Sequence, residues 1–345
     1  MSRGCGRVVV EGGTQQLVDL FSHFPVRLHA IRLPAFDGAI VYALGYGGGL
    51  VHGDETVLQL TLRRGAQLMY LTRGGLKVFG PKISMSTSAS HRHHDNEPSS
   101  PFKSPLPSRP PQHLPEDSDQ TVPRQEAEQH ICAPIEVAGV GREDVTSKQI
   151  LHYTIAAQAF LIHLPDATTC YEKARFHSET DLHFEDGTSS GLFLDWYTSG
   201  RAQYNERWAA SFWQSILRIA VSVAGQGDKP HRTQLLLRDA WRQHRGDDLS
   251  FGGQAFGVYA GLWLCGPRTA ALRLLFERAH SALQLGVRST VDATPLWTLY
   301  KVDRWGIQGL LIKAGASEHF QMKQWLLSFF NHPDADLPFL HLAFR

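Results

Sequence analysis

Residues 45–63 read GYGGGLVHGDETVLQLTLR, and this run decides the fold class. From Glu55 to Arg63 the side chains alternate, with Thr56, Leu58, Leu60 and Leu62 on one side and Val57, Gln59 and Thr61 on the other. A period of two belongs to a half-buried β-strand rather than to a helix. After the turn Arg64-Gly65, Ala66–Thr72 repeats the pattern. His152–Leu164 and Gly191–Tyr197 are also strand-like, punctuated by Pro165 and Asp186-Gly187. Leu249–Pro267 is uncharged and long enough to test as a membrane span, but five glycines interrupt it. It reads as a buried strand or a pair of strands. The expectation is a mainly β chain of many short strands.

Helices are expected in the C-terminal half. Gly266-Pro267 opens one that Gly286 ends, with Leu272, Leu275, Phe276, Ala279 and Leu283 as its apolar stripe. A second runs from Glu318 to Phe330 with Ser317 as N-cap. Its Phe320, Trp325, Leu326 and Phe329 face either the core or a partner. Thr233–His244 is a candidate third.

The length of 345 residues alone suggests about two domains. Composition redirects that expectation. Between Pro81 and Lys148 lie 10 of the 18 prolines, with runs rich in Ser, Gln and Glu and no sustained apolar periodicity. Such a segment cannot offset the entropy of ordering itself. The chain 1–345 is therefore expected to be one β-rich domain interrupted by a disordered insertion at 81–148. The net charge of +1 divides into −3 on the insertion and +4 elsewhere. Neither value provides the basic field of a nucleic-acid binder. Cysteines at 5, 132, 170 and 265 form no Cys-x-x-Cys pair and are too sparse for a disulfide scaffold, which favours a reducing compartment. Val8-Val9-Val10 falls far short of a signal-peptide apolar region. A soluble cytoplasmic protein is expected.

Enzymatic signatures are few. Gly45-Tyr46-Gly47-Gly48-Gly49 begins a GxG, but position 52 is His and a strand follows, so a tight chain crossing fits better than a phosphate cradle. There is no GxSxG elbow and no HExxH zinc signature. Asp54, Asp166, Asp195 and Glu206 stand near turn residues. Asp166, Asp195 and Glu206 could supply the acid and base of a β-rich glycoside hydrolase, which is the alternative function. His91, His93 and His94 cluster as HRHH inside the insertion and could hold an adventitious metal. The scattered His52, His163, His177 and His183 read as surface or hydrogen-bonded residues.

Taken in order, several blocks resemble the UreD/UreH family of urease accessory proteins. They are GYGGGLVHGD (45–54), LTRGGLKVF (71–79), LPDATTCYEKARF (164–176), GLFLDWYTSGRAQYNERW (191–208), YAGLWLCGP (259–267) and LLIKAGASEHF (310–320). The insertion resembles those of eukaryotic, particularly fungal, members. The resemblance implies a β-helix-like layered winding with two helices at one side. It also implies a non-enzymatic scaffold that works with a UreF-type accessory protein and a UreG-type GTPase to deliver nickel to apo-urease. No cofactor would be tightly bound, and nickel(II) would be in transit along an internal path. Carboxylates, hydroxyls and water suit such a path better than a closed Cys/His cage, because tight binding would stop transfer.

By motif position, the resemblance places Asp54, Asp166, Asp195 and Glu206 near that path or a partner surface. Thr72, Lys77, Tyr197, Thr198, Ser199 and Arg201 would shape the same region. Gly45, Gly47, Gly48, Gly49, Gly53 and Gly200 would be structural. The second block departs from the family pattern, with Arg73 and Gly74-Gly75-Leu76 where members often carry Gln and a Ser-Thr pair. No hydroxyl role is carried over there.

Overall fold

The computed structural model describes residues 2–81 and 145–340, apart from 14–15, 35, 46–47, 202–203, 205, 224–231, 248–249, 252–253, 285–294 and 338. His91, His93, His94, Gly47 and most of the insertion lie outside the described residues.

The chain is mainly β, with strands numbered here in sequence order. One sheet holds β1 (Arg3–Val10), β2 (Leu17–His23), β5 (Glu55–Leu62), β8 (Ser147–Ile155), β11 (Arg175–Phe184), β13 (Phe212–Val223) and β14 (Arg232–His244). Its order is β14-β13-β11-β8-β5-β1-β2, and it is parallel from β1 to β13. The second sheet runs β18 (Leu296–Arg304), β19 (Ile307–Ala316), β17 (Val258–Cys265), β12 (Ser190–Thr198), β9 (Phe160–Leu164), β6 (Gln67–Thr72), β4 (Ala39–Gly45) and β3 (Val26–Ile31). The short β7 (Lys77–Val78) and β10 (Thr168–Cys170) extend it beside β12, while β15 (Ser250–Phe251) and β16 (Gln254–Ala255) form a separate ribbon. From β5 to β12 the chain alternates between the sheets, adding neighbouring parallel strands to each.

Burial explains the two sequence styles. β11 (RFHSETDLHF) alternates strictly between buried and partly exposed residues, so its sheet covers a core on one face only. β9 (FLIHL) is buried throughout, because the second sheet is covered on both faces. Between the sheets lies a cluster that includes Leu60, Tyr153, Leu182 and Ile219 from the first and Leu68, Leu161 and Trp263 from the second. On the other face of the second sheet, Ile162, Leu194 and Ile312 pack with α1 (Ala270–Gln284) and α2 (His319–Phe330).

The structure corrects several expectations. Thr233–His244 is not a helix but part of the edge strand β14, antiparallel to β13. Pairing with the free edge of β13 decides its conformation. His152–Leu164 is two strands in different sheets, separated by a turn in which Gln158 has φ 62°. Ser147 and Lys148 belong to β8 rather than to the insertion. Ser147 is fully buried, and its hydroxyl donates to Val51 O at 3.0 Å and accepts from Gly53 N at 3.1 Å.

The helix starts also differ from expectation. α2 is N-capped by Glu318 without a side-chain bond, and the Ser317 hydroxyl instead donates to Gln321 Oε1 at 2.6 Å. Pro267 opens a 3₁₀ turn, Pro267–Thr269, ahead of α1. Leu283 of its expected stripe is exposed, as is Phe320 of α2, whereas Trp325 and Leu326 are buried. Cys170 and Cys265 are buried free thiols, whereas Cys5 is disulfide-bonded. Among the described residues no helix is long and apolar enough to cross a membrane.

The helical layer is fastened by aromatic packing. Phe276 of α1 stacks on Phe329 at 3.9 Å and meets Trp325 and Trp297 edge-on. Phe276→Ala should cost about 3–5 kcal/mol through lost burial and the cavity left behind. Urea unfolding would measure it, and a loss below about 1 kcal/mol would contradict this packing role.

Candidate functional site

The inner face of the first sheet carries one lateral row of polar residues. Thr56 on β5 pairs with Gln149 on β8, Gln149 with Ser178 on β11, and Ser178 with Ser215 on β13. Two residues further along each strand the row is Leu58, Leu151, Thr180 and Leu217. The next, Leu60, Tyr153, Leu182 and Ile219, lies in the apolar core. Parallel strands in register thus place four polar side chains side by side, running across the strands.

Three cavities follow this row. The first, about 230 Å³, lies beneath the Gly-rich segment and includes Gly45, Gly48, Gly49, Thr56, Thr72 and Lys77 in its walls. The second, about 30 Å³, shares Tyr70, Thr72, Leu76 and Gln149 with the first and adds Asp166, Ser178, His163 and Asp195. The third, about 10 Å³, shares Asp195 with the second and adds Ser215, Asp239 and Trp241. The two inner volumes are on the scale of about one or two water molecules. Beside the third, Lys313 Nζ pairs with Asp239 Oδ1 at 2.5 Å and lies over the Trp241 ring at 4.8 Å.

Asp195 occupies the junction of the second and third cavities. Ser215 Oγ donates to its Oδ2 at 2.5 Å. Burial pushes its carboxyl up from 3.8 to about 6, against the opposing hydrogen bonds of Ser215 and Tyr197, and Asp239 adds to the rise. Asp166 stands closer to the surface. Its Oδ2 accepts from Gly74 N at 2.7 Å, and its own N donates to Thr72 Oγ1 at 2.7 Å. Asp166 and Thr72 are thereby fixed to each other across the β6–β7 and β9–β10 connections.

The remaining motif residues have other surroundings. Asp54 is buried away from the three cavities and accepts from Ser2 N at 2.7 Å and Val51 N at 3.1 Å, closing the loop before β5. Glu206 is bound bidentately by Arg201, whose guanidinium also lies over the Tyr171 and Tyr204 rings. Neither lines these cavities, so Glu206 is set apart from Asp166 and Asp195. Tyr197 stacks on Trp213 at 4.4 Å, Thr198 bonds the Thr169 hydroxyl at 2.6 Å, and Ser199 N donates to Gly257 O at 2.8 Å. Gly49 has φ 150°, and a Cβ there would stand 2.1 Å from Lys77 O, so the segment is the expected close crossing. Gly53 and Gly200 also have positive φ.

Sequence reasoning missed Gln149, Ser178, Ser215, Asp239 and Lys313. A signal existed for some of them: Ser178 and Thr180 interrupt the buried face of β11, as Thr56 does that of β5. Among the described residues no three His, Cys, Asp or Glu side chains are grouped to hold a metal ion.

The UreD urease accessory protein family model matches residues 2–95 and 139–337. The chain belongs to the UreD family. Relatives within it include "Urease accessory protein 4" of Cryptococcus neoformans, 24% identical over 301 residues, covering 84% of this chain and 76% of that protein. "Urease accessory protein UreD" of Anaeromyxobacter is 25% identical over 299 residues, covering 85% and 76%. "Urease accessory protein D" of Arabidopsis thaliana is 24% identical over 219 residues, covering 62% of this chain. That match spans only about half of the Arabidopsis protein, 54% of its length.

For this UreD member, the raised Asp195 carboxyl has a signed consequence. Below about 3.8 the group is protonated folded or unfolded and costs nothing; through about 6 it ionises inside the fold and stability falls. The loss is on the order of 3 kcal/mol. Asp195→Asn should therefore gain stability relative to the unmodified chain between about pH 4 and pH 7. Urea midpoints across that range would measure it, and parallel pH curves for the two proteins would contradict the assignment.

Proposed function

We propose that this UreD-family chain is a non-enzymatic scaffold through which nickel(II) passes to apo-urease during urease maturation. The observation that carries the proposal is the polar row between the sheets, with its three successive cavities. Hydroxyl, amide and carboxylate oxygens along such a route bind a divalent ion at several weak positions, and an ion in transit needs weak positions to leave again. The chain would act in the cytoplasm with a UreF-type accessory protein and a UreG-type GTPase, docked on apo-urease. Asp166 and Thr72, with Lys77 above them, would form the approach, and Asp195 the internal carboxylate step. Arg201 and Glu206, with Tyr197, Thr198 and Ser199 behind them, would shape a neighbouring partner surface.

Deleting the gene should leave urease protein present but inactive and low in nickel, measured by activity and metal content of the purified enzyme. Fully nickel-loaded urease in the deletion strain would overturn the proposal. Leu76 stands between the first two cavities, so Leu76→Trp should block the route while the chain still folds and still co-purifies with its partners. Normal nickel loading by that variant would move the path elsewhere. A chain lacking residues 82–144 should still support maturation, and loss of maturation by a folded deletion variant would make the insertion functional.

A further inference from the structure

Among the described residues that line the three cavities, His163 is the one imidazole and there is no cysteine. Its ring is held on three sides. Tyr70 stacks on one face at 4.8 Å and Phe193 on the other at 4.3 Å. Nδ1 shares a 2.7 Å hydrogen bond with the Tyr153 hydroxyl. Only 3% of the residue is exposed, it lines the second cavity, and its hydrogen bond is made by Nδ1. With Nδ1 engaged by Tyr153, the other ring nitrogen is the one left for a ligand in a cavity shared with Asp166 and Asp195.

We propose that His163 Nε2 is a coordination point for a divalent transition-metal ion in the second cavity, and that it discriminates the passing ion from magnesium and calcium. This rests on the conduit reading above and specifies the selectivity of that route. The other polar groups of the second cavity are carboxylates, hydroxyls, an amide and main chain. Oxygen groups serve magnesium and calcium as readily as nickel, whereas a neutral imidazole favours nickel, copper and zinc. Burial pushes the His163 ring down to about 3, so its lone pair is not taken up by a proton at neutral pH. With an ion on Nε2, Nδ1–H donates to the Tyr153 oxygen, an outer partner that fixes ring orientation and tautomer. A single imidazole also holds the ion weakly enough to release it.

The test uses the full chain carrying H91A, H93A and H94A, so that the histidine cluster of the insertion does not compete. Histidine ¹⁵N resonances are followed as nickel(II) is added in excess magnesium, with His163→Phe supplying the assignment. Phe can occupy the same aromatic stack, and thermal unfolding checks that it does. Substoichiometric nickel should broaden the His163 resonance, magnesium alone should not, and His163→Phe should weaken nickel binding at least about tenfold. An unperturbed His163 resonance, or equal response to magnesium, would overturn the proposal even if the chain still supports urease maturation. Should His163→Phe fail to fold, Tyr153→Phe shifts the same ring resonance and supplies the assignment. Loss of the conduit reading would be recognised separately, by normal urease nickel loading with Leu76→Trp.

Discussion

The structure depends on one lateral alignment: Thr56, Gln149, Ser178 and Ser215 lie in a single row because four parallel strands share register. The row ends against Gly4 on β1 and Trp241 on β14. A shift of any one strand by a single residue would turn its polar member outward and bring an outward residue into the core. Face-to-face packing forbids that shift, since Leu60, Tyr153, Leu182 and Ile219 are buried two rows away. The apolar rows therefore hold the polar row in place. Its presence costs stability, because buried hydroxyls need partners, and Thr56 Oγ1 has none among the described residues.

The second sheet completes the enclosure by a different route. Its central strands are covered on both faces, so its polar side chains facing the first sheet are few and each is tightly surrounded. His163 sits in the middle of the otherwise apolar β9, and Asp195 interrupts β12 between Leu194 and Trp196. Alternation of the chain between the sheets sends each connection over an end of the sandwich. One of these connections, the Gly-rich segment, and the loop between β6 and β7 form walls of the first cavity. Gly49 allows the first to pass against the Lys77 backbone with no room for a side chain.

Much of this was legible from sequence, and the limits were physical. Alternation gave β5 its strand character because it covers a core on one side only. Thr233–His244, expected as a helix, has Leu235, Leu236 and Leu237 on an edge strand whose partner is supplied by β13 rather than by local pattern. Motif resemblance led to Thr72, Lys77, Asp166 and Asp195, all of which line the cavities. It also led to Asp54 and Glu206, whose carboxylates are bound elsewhere. The row itself was not legible, since residues 56, 149, 178 and 215 become neighbours only once the register of four strands is fixed. His163 was legible as a hydrogen-bonded histidine, but not its stacking between two rings from neighbouring strands.

Asp195 shows how the cost of the polar row and its proposed use are connected. Burial raises its carboxyl to about 6, so at neutral pH the fold holds an ion that its surroundings disfavour. Ser215 and Tyr197 offset part of this, and Asp239 opposes them. Asp239 is itself compensated by Lys313. A cation arriving beside Asp195 would favour the ionised carboxylate and relieve the same penalty, so its binding free energy includes a contribution that the empty fold had already given up. The relief ends when the cation moves on. A buried carboxylate of raised pKa in a small cavity is thus suited to brief occupancy, while a pre-paired one would attract no ion and a cluster of several would not release it.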